Sequence, residues 1–352
     1  HYAPQLRALG VRVRVIEQRR RAELRPRWLD DLGLPTSTLR QLEEHVAADS
    51  LIPLIKALVE DPPDILHCWL DHTNLTGGLA GLVAGVPRIL LSARNVSPAH
   101  VPRLLEPWFR ETYRAIATCP SLSLVANSHA GADDYAEWSE TDRDQWHVVT
   151  NGFDIETLCP MTPEERAAAR KALGVAPDEF LVVGVFRLAS EKRPVNFLEV
   201  IRALKARLPR LRVLHVGSGE LGVPTKALAA KWGLEETLSF AGRRDNPWEI
   251  LGAADASLLT SEIEGLPNVS LESQALEVPI VLTRAGGAPE SVEQGVTGYV
   301  CEIGDIEGIC ARLADLAQDP ELRKRMGEAG RKRVAEVFSV KKMIESTLAL
   351  YR

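Results

Sequence analysis

The chain has 352 residues, a length that fits two domains of ordinary size better than one. Hydrophobic residues make up 45% and charged residues 26%, the balance of a soluble globular protein, and a formal net charge of -6 offers no basic field to nucleic acid. No apolar run has the length of a membrane span, and the cysteines (Cys68, Cys119, Cys159, Cys301, Cys310) lack disulfide or metal-ligand spacing, which reads as a cytoplasmic protein with reduced thiols.

The first elements look cut. Residues 1–9 read as the back half of a helix closed by Gly10, and 11–16 as a strand. A parallel α/β domain would begin with a strand and a loop before such a helix, so native residues are expected upstream. Arg19, Arg20, Arg21, Arg25 and Arg27 follow with Trp28 beside them. Glu17 and Glu23 interrupt the run, which favours a solvated loop over a contact with anionic lipid headgroups. Strands are then predicted at 65–70, 89–92, 122–127 and 147–149, with helices at 39–60, 74–84, 103–117 and 130–138. Asn151-Gly152 is a turn signal, and Pro160 and Pro163 mark a linker. Beyond it, strands are predicted at 180–186, 212–216, 238–241, 256–259, 280–283 and 299–301. Val195, Leu198, Ile201, Leu204 and Leu208 form a helical stripe, 223–232 a further helix, and Val340, Met343, Ile344, Leu348 and Tyr351 a last one. This alternation means two Rossmann-like α/β domains with parallel sheets facing a cleft: 1–152, 153–337, and a helix at 338–352 that is expected to pack back on the first domain.

Three strand-end segments carry the chemistry. In the first, Arg187 and Lys192 emerge from the loop after the 180–186 strand. An arginine fork and a mobile ammonium suit a diphosphate, although two solvated cations would look the same. In the second, Gly217 and Gly219 would let a backbone approach a phosphate or ribose, or would simply make a tight turn. A third fingerprint glycine is missing, which speaks against a dinucleotide. In the third, Glu264, Gly265, Leu266, Pro267, Asn268 and Val269 lead to Glu272. Pro267 suits the first turn of a helix, whose opening amides would attract an anion. From Pro267 to Glu272 the helix would rise roughly 7–8 Å, room for a sugar at one end and a ribose at the other. The plain alternative is a helix with one acid at its favourable end and one on its surface.

The stretches VGVFRLASEKRP, LHVGSGEL, LSFAGRRDN, EGLPNVSLESQALEVPIV and GGAPESVEQGVTGYV occur in that order over about residues 180–300. They resemble the donor domain of glycosyltransferase family 4, the group 1 glycosyltransferases, which are retaining enzymes of the GT-B fold. The resemblance implies that Glu264 binds hydroxyls of the donor sugar and Glu272 the ribose. It implies that Arg187 and Lys192 hold the diphosphate, that Gly265, Leu266, Pro267, Asn268 and Val269 cap it, and that Arg243 lies near the base. The loop at Gly286-Gly287 is family-like and receives no ligand. The first half is similar only in outline, best over HCWLDHTNLTGGLAGLVAGVPRILLSARN. Where many family members carry a histidine, this chain reads Ser92-Ala93-Arg94-Asn95. Arg94, Asn95 and His129 are the acceptor-side candidates. His72 and His100 are further histidines with a structural or surface reading.

The expected activity is therefore hexosyl transfer with retention from a nucleoside-diphosphate sugar, UDP- before GDP-linked. The acceptor is open: a glycan, as in polysaccharide biosynthesis, a lipid-linked molecule or a small molecule. No metal or other cofactor is expected. A lipid-linked acceptor would bring peripheral contact with the inner face of the membrane. A sugar-nucleotide epimerase or phosphorylase of the same fold, or a non-catalytic nucleotide-sugar binder, are the alternatives.

Overall fold

The computed structural model describes residues 48–352. The strand expected at 11–16, the basic run from Arg19 to Arg27 with Trp28, and the part of the 39–60 helix before Ala48 lie outside those residues.

The first parallel sheet has the order β1-β2-β3-β4, formed by Ile65–Trp69, Arg88–Ser92, Leu122–Ala126 and Trp146–Val148. Its centre is almost purely aliphatic because helices cover both faces. Ile89, Leu90 and Leu91 are fully buried, each contributing about 1.5–3 kcal/mol of transfer free energy. Helices α1 (Ala48–Glu60), α2 (Asp71–Val83), α3 (Phe109–Ile116) and α4 (His129–Ser139) complete this lobe. Close packing of α2 needs Gly81, where a Cβ would come within 2.9 Å of both Leu66 and Ile89. Helix α3 begins six residues later than its predicted start. Pro102 and Pro107 disfavour an α-helix there, and short 3-10 turns at Pro98–His100 and Pro102–Leu104 replace it. From Phe109 onward, Phe109, Tyr113 and Ile116 recur on one face and are buried.

The second sheet has the order β10-β9-β8-β5-β6-β7, all parallel. In chain order its strands are β5 (Phe180–Val185), β6 (Leu211–Val216), β7 (Leu238–Gly242), β8 (Ala256–Leu259), β9 (Ile280–Thr283) and β10 (Gly298–Cys301). The order reverses between β5 and β8, which are neighbours through Val182 and Ala256. The carboxyl ends of these two strands therefore flank the crevice where a doubly wound sheet binds ligands. One face of the sheet is covered by α6 (Pro194–Arg207) and by α10 (Ile306–Gln318). Phe197, Val200, Leu204 and Leu313 are buried there, while Val195 of the predicted stripe is 45% exposed. The other face carries α5 (Pro163–Ala172), α8 (Trp248–Gly252), α9 (Asn268–Ala275) and the residues Val334 and Phe338 around the end of α11 (Pro320–Val337). Helix α7 (Gly222–Lys231) follows β6.

The last helix, α12 (Val340–Tyr351), returns to the first lobe. Met343, Leu350 and Tyr351 pack on Leu90, Val125 and Val149, and Arg88 donates to the Leu350 carbonyl at 3.1 Å. Tyr351 meets His67 Nδ1 at 2.8 Å. Among the described residues no helix is long and apolar enough to cross a membrane.

Candidate functional site

The loop after β5 and the loop after β8 meet at the sheet's reversal point. Lys192 Nζ lies 2.5 Å from Glu264 Oε1, and that carboxylate also accepts from Ser261 Oγ at 2.6 Å. Glu264 is 7% exposed. A carboxylate so removed from water requires a cation and hydrogen bonds, and the chain supplies both. Thr260 Oγ1 donates to the Lys192 carbonyl at 3.2 Å, and the Glu262 amide to the Glu191 carbonyl at 2.8 Å, so the two loops are stitched together.

Arg187 is placed differently from Lys192. Its guanidinium is held by Glu191, four residues on, and is half exposed at the mouth of the crevice. The second oxygen of Glu191 accepts from Arg103 of the first lobe at 3.0 Å. Burial raises the Glu191 carboxyl, but its own backbone amide and the guanidiniums of Arg187 and Arg103 more than offset this and hold it below the usual carboxylate range.

Helix α9 starts one residue later than expected. Pro267 is its N-cap, with ψ of 119°, rather than a first-turn residue, and Asn268 is the first helical position. No side chain caps this end. The Ser270 amide turns back to the Pro267 carbonyl at 3.1 Å. The amides of Asn268 and Val269 meet no acceptor among the described residues, and such a helix start favours an anion. One turn further, burial raises the Glu272 carboxyl, opposed by the Trp248 indole beside it.

The glycines of the site admit backbone before ligand. A Cβ on Gly217, whose φ is +141°, would overlap the Phe186 carbonyl, and one on Gly219 would overlap the Leu188 carbonyl. The loop after β6 is thereby pressed onto the loop after β5. Gly265 faces the other lobe: a Cβ there would lie 2.5 Å from Asn127 Oδ1 and 2.6 Å from the Arg94 carbonyl. Gly286 sits against the Glu264 carbonyl and Val96, and Gly287 against Ser128. The family-like glycine loop therefore serves as a seam between lobes. Arg243 is exposed after β7, with no described hydrogen bond or ion pair to the other site residues.

On the first lobe, Arg94 does not project freely into the crevice. Its guanidinium bonds Asn151 Oδ1 and lies 5.4 Å from the centre of the Trp69 ring. Asn151 Nδ2 donates to the Leu266 carbonyl at 2.8 Å and to Asn268 Oδ1 at 2.7 Å. Asn127 Nδ2 donates to the Arg94 carbonyl at 3.2 Å. One carboxamide thus joins Arg94 to the first residue of α9. Asn95 Oδ1 accepts from the Val96 amide at 3.0 Å. His129 exposes its side chain, while its amide and that of Ala130 donate to Glu290 of the second lobe at 2.9 and 2.7 Å. His72 stacks edge-on against Trp108, and His100 Nε2 lies 2.6 Å from Asp134. A crevice of about 430 Å³ between the lobes is lined by Val96, His100, Ala130, Asp134, Glu262, Ile263 and Gly286.

The structure unites Lys192 with Glu264, and Arg94 with the start of α9. It leaves Arg243 and the His129 ring apart from them. Glu191, Asn127, Arg103 and Glu290 escape a reading of the sequence. Glu191 alone carried a signal, an acid four residues after Arg187 and next to Lys192.

The model of the Glycosyltransferase Family 4 domain matches residues 1–157, and that of the glycosyl transferases group 1 matches residues 165–333. The Vi polysaccharide biosynthesis protein VipC/TviE of Salmonella typhi is 30% identical over 285 residues, covering 80% of this chain and 49% of that protein. The N-acetyl-alpha-D-glucosaminyl L-malate synthase of Bacillus anthracis is 31% identical over 210 residues, covering 58% of this chain and 55% of that protein. The chain thus spans about half the length of these two curated relatives. Among solved structures, Anabaena HepE in complex with UDP and glucose superimposes with a TM-score of 0.81 at 20% identity, covering 99% of this chain and 89% of that one.

Proposed function

Since the chain belongs to the group 1 glycosyltransferases of the GT-B fold, we propose that it transfers a hexose-type sugar from a nucleoside-diphosphate sugar, with retention of anomeric configuration. The observation that carries this reading is the convergence of Lys192, Glu264 and the uncapped start of α9 at the reversal point of the second sheet. A diphosphate over the Asn268 and Val269 amides would meet Lys192 and Arg187. As the sugar–phosphate bond breaks, negative charge grows on the departing oxygens, and these donors would hold it more tightly in the transition state than in the bound donor. Glu264, held by Lys192 and Ser261, would accept from hydroxyls of the donor sugar, and Glu272 from the ribose.

A UDP-sugar is the donor we favour. HepE, which shares the fold, has been solved with UDP-glucose. The acceptor would be a glycan, a lipid-linked molecule or a small molecule, and VipC/TviE, a polysaccharide biosynthesis protein, points to the glycan. The protein would work in the cytoplasm, and on a lipid-linked acceptor it would touch the inner face of the membrane.

The test begins with thermal shift against UDP- and GDP-sugars, since a ligand that binds only the folded protein raises apparent stability. Mass-spectrometric detection of glycosylated product follows, with wild type, Glu264→Gln and Lys192→Ala. Stabilisation by a UDP-sugar and loss of product in both variants are expected. Product formation at the wild-type rate by both variants would remove the assignment.

A further inference from the structure

Arg103 belongs to the first lobe, in the 3-10 turn Pro102–Leu104, yet it reaches both phosphate-side loops of the second. It donates to Glu191 on the loop after β5 at 3.0 Å and lies 3.6 Å from Glu220 on the loop after β6. Glu191 is buried and binds two guanidiniums at once, Arg187 with one oxygen and Arg103 with the other. The charge count is simple. Arg187 with Glu191 alone is neutral, and an anionic donor would have to pull the guanidinium off its carboxylate. Arg103, itself balanced by Glu220 at 3.6 Å, adds no net charge but gives Glu191 a replacement partner, so Arg187 can turn to a phosphate without leaving a buried carboxylate unpaired. Since Arg103 comes from the opposite lobe, it is present only when the lobes are together.

We propose that Arg103 is a positioning residue that takes over Glu191 on lobe closure and so releases Arg187 to grip the donor diphosphate. The relay rests on the reading of the crevice as a nucleoside-diphosphate site. It makes diphosphate affinity depend on the acceptor lobe, so the full grip develops only in the closed, water-excluding arrangement.

The experiment measures UDP affinity by calorimetry, without acceptor, for the wild type, Arg103→Ala, Arg103→Lys, Glu191→Gln and the Arg103→Ala/Glu191→Gln double variant. Uridine, which lacks the diphosphate, is the control, and melting temperature monitors folding. Arg103→Ala should weaken UDP binding about fivefold or more, the range of a modest coupling between sites, and leave uridine binding unchanged. Arg103→Lys should recover part of the loss. The double variant should bind UDP at least as well as the wild type, because Glu191 no longer competes for Arg187. A merely structural role for Arg103 predicts no such suppression. UDP binding by Arg103→Ala equal to the wild type, or a double variant as weak as Arg103→Ala, overturns the relay. Failure of the wild type to bind either UDP or GDP would instead overturn the underlying reading of the site.

Discussion

Asn151→Ala is the sharpest probe of how the lobes are joined. The side chain is buried and uses both ends: its oxygen accepts from Arg94, and its nitrogen donates to the Leu266 carbonyl and to Asn268 Oδ1. Truncation removes two neutral bonds worth about 1 kcal/mol each, a long one from Asn127 Nδ2 at 3.5 Å that adds little, and one to a partly buried cation worth about 2 kcal/mol, roughly 4 kcal/mol in total. Part of this should appear in global stability and part as easier separation of α9 from the first lobe. Urea denaturation followed by tryptophan fluorescence gives the first part, and UDP affinity reports the second. Asn151→Asp keeps an acceptor for Arg94 but sets oxygen against oxygen at Leu266 and Asn268, so it should be no better than alanine for UDP. If Asn151→Ala costs less than about 1 kcal/mol and binds UDP normally, this carboxamide does not join the lobes.

Acid should destabilise the protein through two histidines. Burial among Phe186, Phe197 and Phe240 lowers His215 to about 4, with Lys226 adding to the shift and the Phe186 backbone opposing it; burial and Arg94 lower His67 to about 4. Both are neutral in the folded state, while the unfolded chain takes up protons near pH 6.5, so stability is intact above pH 6.5 and falls as pH drops toward 4. His215 alone should account for about 3 kcal/mol of that fall, and His215→Leu should flatten the curve measured by urea midpoints at stepped pH. Gly217→Ala should cost about 3 kcal/mol, from overlap with the Phe186 carbonyl and an unfavourable positive φ, and should also weaken UDP binding; a fully stable variant would show that the loop can yield. Glu277 follows α9 with φ of 59°, where its side chain is exposed and the Val278 amide caps the Ser273 carbonyl. Glu277→Gly should therefore raise stability by about 1 kcal/mol, and a lower urea midpoint would contradict this.

The two parallel sheets were readable because their strands, buried on both faces, are short aliphatic runs, as in Leu181 to Val183 and Ile280 to Leu282. The Lys192–Glu264 meeting was half visible: each residue stood out at a strand end, but nothing in the sequence says that two side chains 72 positions apart share a hydrogen bond. Asn151 was conspicuous as a turn signal, which concealed its side chain. Arg103 was read as the first residue of a helix running through Pro107, whereas it sits in a short 3-10 turn before that helix begins. Contacts between lobes leave no local pattern, because they depend on surfaces that exist only after each lobe has folded.

The path of α12 has a consequence for how the protein comes into being. Its side chains complete one face of a sheet whose strands were made some two hundred residues earlier, with Tyr351 closing on His67 and the Leu350 carbonyl on Arg88. During synthesis the first lobe would wait, with Leu90 and Val125 uncovered, until the whole second lobe had emerged from the ribosome. A break in the chain just before Val340 would take this cover from the first lobe, not from the second.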